Sequence, residues 1–170
     1  LIAVIVLGVL AFAPLTSFSL DDKKEVSSAG SPKNLILNVE ADVCEVEIAF
    51  SDGSGQAVSV DLDLEGQRGF LAEDPSVELV VDHVLADDDL TVDVLLDMPT
   101  GPTVRYDDPY MLITVQAGMK VTVNAITDVG DVNMDVPTSA RLDGVSLYAK
   151  VGAVHVNLEQ GVEVLGNMEL

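Results

Sequence analysis

Apolar and polar residues alternate with a period of two along most of the chain after residue 33. The clearest runs lie at residues 35–40, 45–50, 58–64 and 92–98. Such alternation places apolar side chains on one face of a β-strand and polar side chains on the other. Clusters of Gly, Pro, Asp and Ser separate the runs, as turns between strands do. Because no long window after Leu20 shows helical spacing, we predict an all-β fold.

A short motif recurs in the second half of the chain, with the order apolar, Gly, polar, apolar, polar, apolar. Its copies are VGDVNM at 129–134, VGAVHV at 151–156 and LGNMEL at 165–170, with an earlier copy, VCEVEI, at 43–48. Stacked strands would bury the apolar positions together, and glycine tolerates a positive φ or a close backbone approach. We therefore expect Gly130, Gly152 and Gly166 to be equivalent, with Val132, Val154 and Met168 pointing into one interior.

These repeats resemble the putative-adhesin family, whose domains carry short glycine-containing strands, often behind an N-terminal membrane helix. The resemblance lies in TDVGDV at 127–132, KVGAV at 150–154 and LGNM at 165–168. It covers residues 34–170 loosely and residues 127–170 well. The resemblance implies a β-solenoid, or an open β-sandwich of short stacked strands, and a role in binding or adhesion.

Residues 1–20 contain no charged side chain and are mostly apolar. A membrane-spanning helix needs about 20 such residues, so we predict a transmembrane anchor or an export signal segment here. Residues 11–13, Ala-Phe-Ala, have the form of a signal-peptidase site, but Pro14 follows them, which favours an uncleaved single-pass anchor. Since the sequence begins with Leu1, we expect residues to be missing before it and after Leu170. Residues 21–33 then predict a polar linker, and residues 34–170 a domain outside the cell.

The chain is strongly acidic, with 29 Asp and Glu against 8 Lys and Arg and a formal net charge of -21. A surface of this sign repels phosphate backbones, which excludes nucleic acid as a partner. The charge suits either solubility in salt or a cation-rich exterior, with a dedicated cation site as the alternative. The weak candidates for Ca²⁺ ligands are Asp87, Asp88 and Asp89, because adjacent carboxylates repel unless a cation lies among them. Solvated turns are the simpler interpretation.

Catalytic arrangements are missing from the sequence. His83 and His155 have no partner at ligand spacing, and Cys44, the only cysteine, has no base nearby. Only 4% of residues are aromatic and none is Trp, which argues against an enzyme acting on polysaccharides. We expect no enzyme activity and no cofactor, and a binding, adhesion or scaffolding role toward a protein or surface polymer. The alternative is a sensory or regulatory ectodomain of a membrane signalling protein.

Overall fold

The computed structural model describes residues 15–53, 55–69, 73–101 and 103–170. Every regular element in these ranges is a β-strand, which confirms the all-β prediction. The strands are β1 (Leu15–Ser27), β2 (Asn34–Val43), β3 (Glu45–Ser51), β4 (Gln56–Gly69), β5 (Glu78–Ala86), β6 (Asp89–Asp97), β7 (Val104–Gln116), β8 (Lys120–Val129), β9 (Val132–Val136), β10 (Arg141–Val151), β11 (Val154–Leu158), β12 (Glu163–Val164) and β13 (Met168–Glu169). Within the described ranges, no helix has the length and hydropathy of a membrane span.

The strands form two mixed sheets. Sheet A has six strands in the order β1-β4-β7-β3-β9-β11. Sheet B has seven, in the order β12-β10-β8-β2-β6-β5, with β13 also paired to β10. In sheet B the strands β6, β2, β8 and β10 are parallel, whereas β5 joins β6 antiparallel. Sheet A combines the parallel strands β7, β3, β9 and β11 with antiparallel β4 and β1. The result is an open arrangement of two sheets.

The period-two pattern accounts for the core. Leu35, Leu37 and Val39 of β2 are buried, and the residues between them point outward. The register places Leu37 beside Val92 of β6 and Val123 of β8, both fully buried. Inward side chains of both sheets belong to a single hydrophobic cluster. Because each strand exposes its other face, the outward residues of neighbouring strands also align in rows.

Strand β1 corrects two boundaries expected from the sequence. Residues 15–20, predicted as the end of a membrane helix, and residues 21–27, predicted as linker, form a strand antiparallel to β4. The apolar side chains of Phe18 and Leu20 pack partly buried against the core instead of facing lipid. The charges at residues 21–25 suit an edge strand, where they discourage further pairing. Residues 1–14, which carry the rest of the predicted anchor, lie outside the described residues.

Two of the three predicted glycine positions are equivalent. Cys44, Gly130 and Gly152 each lie at a corner where the chain passes from sheet B to sheet A. The amide of Cys44 donates to the carbonyl of Val129 at 2.9 Å, and the amide of Gly130 donates to that of Val151 at the same distance. Both glycines have positive φ, +135° and +151°. The three corners therefore stack directly on one another.

The expected equivalence of Gly166 is wrong. Gly166 lies between β12 and β13, both of which pair with β10 rather than with a strand of sheet A. A Cβ atom at residue 166 would stand 1.7 Å from the carbonyl oxygen of Asp143, beside the register shift in β10. This glycine accommodates an irregular strand, not a corner. Met168, two residues later, still packs against the shared core as expected, and so does Val154.

Candidate binding face of sheet B

The outer face of sheet B carries two adjacent rows of side chains that cross β6, β2, β8 and β10. The polar row contains Asp93, Asn38, Asn124 and Ser146. The second row, two residues further along each strand, contains Leu95, Glu40, Ile126 and Tyr148. With strands about 4.8 Å apart, each row spans about 15 Å. Four paired strands hold both rows, so the face is more rigid than a loop site would be.

Hydrogen bonds fix the side chains of the polar row. Asn38 Nδ2 donates to Asp93 Oδ1 at 2.7 Å, and Asn124 Nδ2 donates to Asn38 Oδ1 at 2.9 Å. Each amide therefore bridges two neighbouring strands. Among the described residues, no hydrogen bond reaches the second oxygen of Asp93 or the side-chain oxygen of Asn124, and each Nδ2 keeps its second hydrogen. The ladder therefore holds both acceptors and donors in a fixed register.

The second row gives the face its concave, apolar part. A groove of about 420 Å³ lies over both rows, with Leu95, Ile126 and Tyr148 among its lining residues. Leu95 is 44% exposed and Tyr148 is 54% exposed, although both are large and apolar. Exposed apolar groups beside polar ones are typical of interaction sites. The groove is accordingly our candidate for a binding site among the described residues.

The groove is negatively charged. Glu40 and Asp93 line it, and neither forms an ion pair within the part of the chain that the structure describes. Lys150, near the groove, forms an ion pair with Asp128. The pKa of Lys150 is raised, chiefly by that hydrogen bond and to a smaller extent by the charge of Glu40. Lys150 therefore pairs with Asp128 and lies close enough to Glu40 to offset part of the negative charge of the groove.

The three candidate Ca²⁺ ligands, Asp87, Asp88 and Asp89, have different surroundings in the structure. Asp87 occupies the turn between β5 and β6 with a φ of +56°. Asp88 forms an ion pair with Lys33, and Asp89 accepts a hydrogen bond from Asn34 Nδ2 at 2.6 Å. In the described ranges, no three His, Cys, Asp or Glu side chains are grouped to hold a metal ion. A lysine of the chain itself is the cation paired at this turn, and a Ca²⁺ site here stays the alternative to solvated turns.

The other residues considered for chemistry lie apart from one another. His83 is exposed on β5 and His155 is exposed on β11. Cys44 is buried at its corner, and desolvation raises the pKa of its thiol to about 12, with a smaller contribution from the charge of Glu45. A thiol that resists ionisation is a poor nucleophile. This environment suits a packed core residue.

Sequence reasoning missed the groove itself. The sequence feature that could have indicated the groove was an apolar residue at an outward position of an alternating strand, as at Leu95 and Ile126. Each such residue taken alone is unremarkable on a protein surface. They become a site only when the parallel register brings four strands together. That register is a property of the whole sheet.

No family model matches the sequence, and no curated protein does. A putative cell adhesion protein from Clostridium sporogenes matches 84% of this chain and 100% of its own, with 10% identity and a TM-score of 0.48. A putative lipid binding protein from Parabacteroides distasonis matches 88% of this chain and 67% of its own, with 10% identity and a TM-score of 0.32. A putative adhesin from Parabacteroides merdae matches 89% of this chain and 95% of its own, with 8% identity and a TM-score of 0.25. These values are too low for an argument about function.

Proposed function

We propose that this chain is a membrane-anchored, extracytoplasmic β domain that binds a partner through the outer face of sheet B, without catalysis. The observation that carries the proposal is the groove in which exposed Leu95 and Tyr148 lie beside the hydrogen-bonded row from Asp93 to Asn124. Exposing large apolar groups to water is unfavourable unless a partner covers them. The rigid strands beneath would let the face bind with little loss of conformational entropy.

The chemistry of the groove supports binding rather than turnover. Its described lining residues include Ser146 and Tyr148 but neither His nor Lys nor Cys. The carboxylates of Glu40 and Asp93, which could act as bases, lie at least two strands away from both hydroxyls. Glu40 and Asp93 are themselves offset by one strand and two residues, about 8 Å. An open groove of this kind does not bring a nucleophile and a base together or exclude water from them.

The proposed location follows from the N-terminal residues and from β1. The uncharged apolar residues 1–14 would supply the visible part of the anchor, and the chain enters the domain directly at Leu15. Strand β1 belongs to sheet A, so the point of attachment lies on the sheet opposite the groove. An acidic domain beyond an apolar segment is consistent with export.

We also propose that the parallel strands form a short β-solenoid. Three successive turns contribute β2 and β3, β8 and β9, and β10 and β11, in matching register. The corners at Cys44, Gly130 and Gly152 stack in the same order. The antiparallel strands β1, β4 and β5 would then close the N-terminal side of the stack.

Retention of cells that display the full chain tests the binding role. The surfaces would be coated with a basic protein, a neutral polysaccharide or an acidic polysaccharide. The groove variant L95S/Y148S is compared with V151S/L165S, whose residues are similarly exposed, at 63% and 46%, but lie outside the groove. We expect retention on one coating, lost in the groove variant and kept in the control variant. Equal retention of wild type and L95S/Y148S would contradict the proposal.

A further inference from the structure

The charged side chains that line the groove are the carboxylates of Asp93 and Glu40. The ladder uses one amide hydrogen each of Asn38 and Asn124. It leaves the second oxygen of Asp93 and the side-chain oxygen of Asn124 as acceptors, beside the remaining amide hydrogens and the hydroxyls of Ser146 and Tyr148 as donors. No lysine or arginine is among the described lining residues. The charge of a complementary ligand should therefore be positive.

The spacing of the two carboxylates fits an extended polypeptide. Asp93 and Glu40 lie on neighbouring parallel strands, two residues apart in register, which separates their Cα atoms by about 8 Å. Alternate side chains of an extended chain lie on one side, about 7 Å apart. Two basic residues at alternate positions could thus face Asp93 and Glu40 at the same time.

The apolar side of the groove fits a third residue of the same segment. Ile126 and Tyr148 continue the row from Glu40, with Tyr148 two strands away, at about 10 Å. An aliphatic side chain could pack on Ile126, and the exposed ring of Tyr148 could also receive a cation over its face. A glycan would instead favour several aromatic platforms, whereas the described lining offers a single ring, that of Tyr148.

Resting on the binding role proposed above, we propose that the groove binds an extended basic polypeptide segment, with Lys or Arg at two alternate positions followed by an apolar residue. The two cations pair with Asp93 and Glu40, and the apolar residue packs against Ile126 and Tyr148. The net charge of -21 would speed the encounter by long-range attraction. Specificity comes from the spacing of the pairs.

Titration of the full chain with synthetic peptides tests this inference. The probe is acetylated, amidated Thr-Lys-Thr-Lys-Thr-Leu-Thr, and the matched peptide Thr-Lys-Lys-Thr-Thr-Leu-Thr has the same composition but adjacent lysines. We expect saturable binding of the alternating peptide, with NMR shifts at groove residues, and weaker binding of the adjacent-lysine peptide. The variant E40Q/D93N should weaken binding about five-fold, as for two exposed ion pairs. The control variant D21N/D63N removes two exposed charges from sheet A and should change the affinity for the alternating peptide less than about two-fold.

Four results would overturn the inference. Equal weakening by E40Q/D93N and D21N/D63N, or equal binding of the two peptides, would show general charge attraction only. Shifts at groove residues with a neutral hexamer of N-acetylglucosamine, but with neither peptide, would assign the groove to a glycan. The glycan result would leave the proposed binding role intact. If neither peptide binds but L95S/Y148S still abolishes cell retention, only the inference is overturned. If neither peptide binds and L95S/Y148S leaves cell retention unchanged, the binding role is overturned as well.

Discussion

Gly152 lies directly over the backbone carbonyl of Gly130, so that a Cβ atom at residue 152 would stand 2.0 Å from that oxygen. Gly130 has the same relationship to the carbonyl oxygen of Cys44, at 2.1 Å. At Gly130 and at Gly152 there is no room for a side chain, because the backbone of the preceding corner occupies the space. Cys44 belongs to the first of these three corners and does not have a positive φ, which explains why a side chain is tolerated there.

Replacing Gly152 with Val should destabilise the fold by about 1–3 kcal/mol or more, because the new side chain meets backbone at a positive φ. The control is Gly101→Ala, where a Cβ atom would meet nothing within 4 Å. We expect that control to change the free energy of unfolding by less than about 0.5 kcal/mol. Urea unfolding measures both variants. Unchanged stability of G152V would remove the stacked-corner account.

Gly66 makes room for β1 to pack. A Cβ atom at residue 66 would stand 2.5 Å from the Arg105 carbonyl oxygen and 2.5 Å from Phe18 Cζ. The Phe18 ring meets the edge of Tyr106, with centroids 6.0 Å apart. We therefore expect Gly66→Ala to lower stability and to speed amide exchange in β1. Gly69→Ala, on the same strand, would make only an ordinary contact with Thr103 at 3.6 Å and serves as the control. Unchanged exchange in β1 for Gly66→Ala would argue against this packing.

The buried thiol of Cys44 predicts a loss of stability in alkali. Burial raises its pKa to about 12 in the folded chain, against 9.0 ordinarily. Between these values the unfolded chain releases the thiol proton and the folded chain keeps it, so unfolding becomes more favourable as pH rises from 9 toward 12. Wild type should lose more stability than Cys44→Ala between pH 8 and pH 10.5, measured by urea unfolding. Identical losses in the two proteins would contradict the burial of an un-ionised thiol.

Salt should stabilise the fold gradually, through screening of its net charge of -21. The screening length falls from about 30 Å at 0.01 M to about 3 Å at 1 M. We expect the melting temperature to rise smoothly with NaCl, and equally with CaCl₂ at matched ionic strength. Since Lys33 already pairs with Asp88, the turn has its own cation. A steep, saturable rise at low-millimolar Ca²⁺, lost when Asp87, Asp88 and Asp89 become Asn, would instead establish a specific site.

Local periodicity was enough to predict β2, β3, β4 and β6, and the repeated motif was enough to predict the corners at Gly130 and Gly152. Gly166 has the same local motif, yet its surroundings depend on the irregular pairing of β10 with β12 and β13. For β1, the uncharged residues around Phe18 are compatible both with a membrane segment and with a partly buried edge strand. Pairing with β4 decides between these structures, and a single sequence does not encode that pairing visibly.

The groove was unpredictable for a related reason. Leu95, Ile126 and Tyr148 come from three strands far apart in the sequence, and only the register of the sheet brings them into one row. The polar ladder likewise joins Asn38 to Asp93 and Asn124 across strands. Outward positions look alike in every alternating strand until the order of the strands is known.

Labelling of a cysteine placed in the groove tests the central claim most directly, namely that sheet B faces the exterior of the cell. Tyr148→Cys in the full chain puts an exposed thiol beside the groove, whereas wild type has only the buried Cys44. Intact cells are treated with a membrane-impermeant maleimide, and membranes are then extracted with carbonate. The account predicts that Tyr148→Cys is labelled on intact cells and stays in the membrane fraction, while folded wild type is unlabelled. Labelling of Tyr148→Cys only after lysis would contradict it.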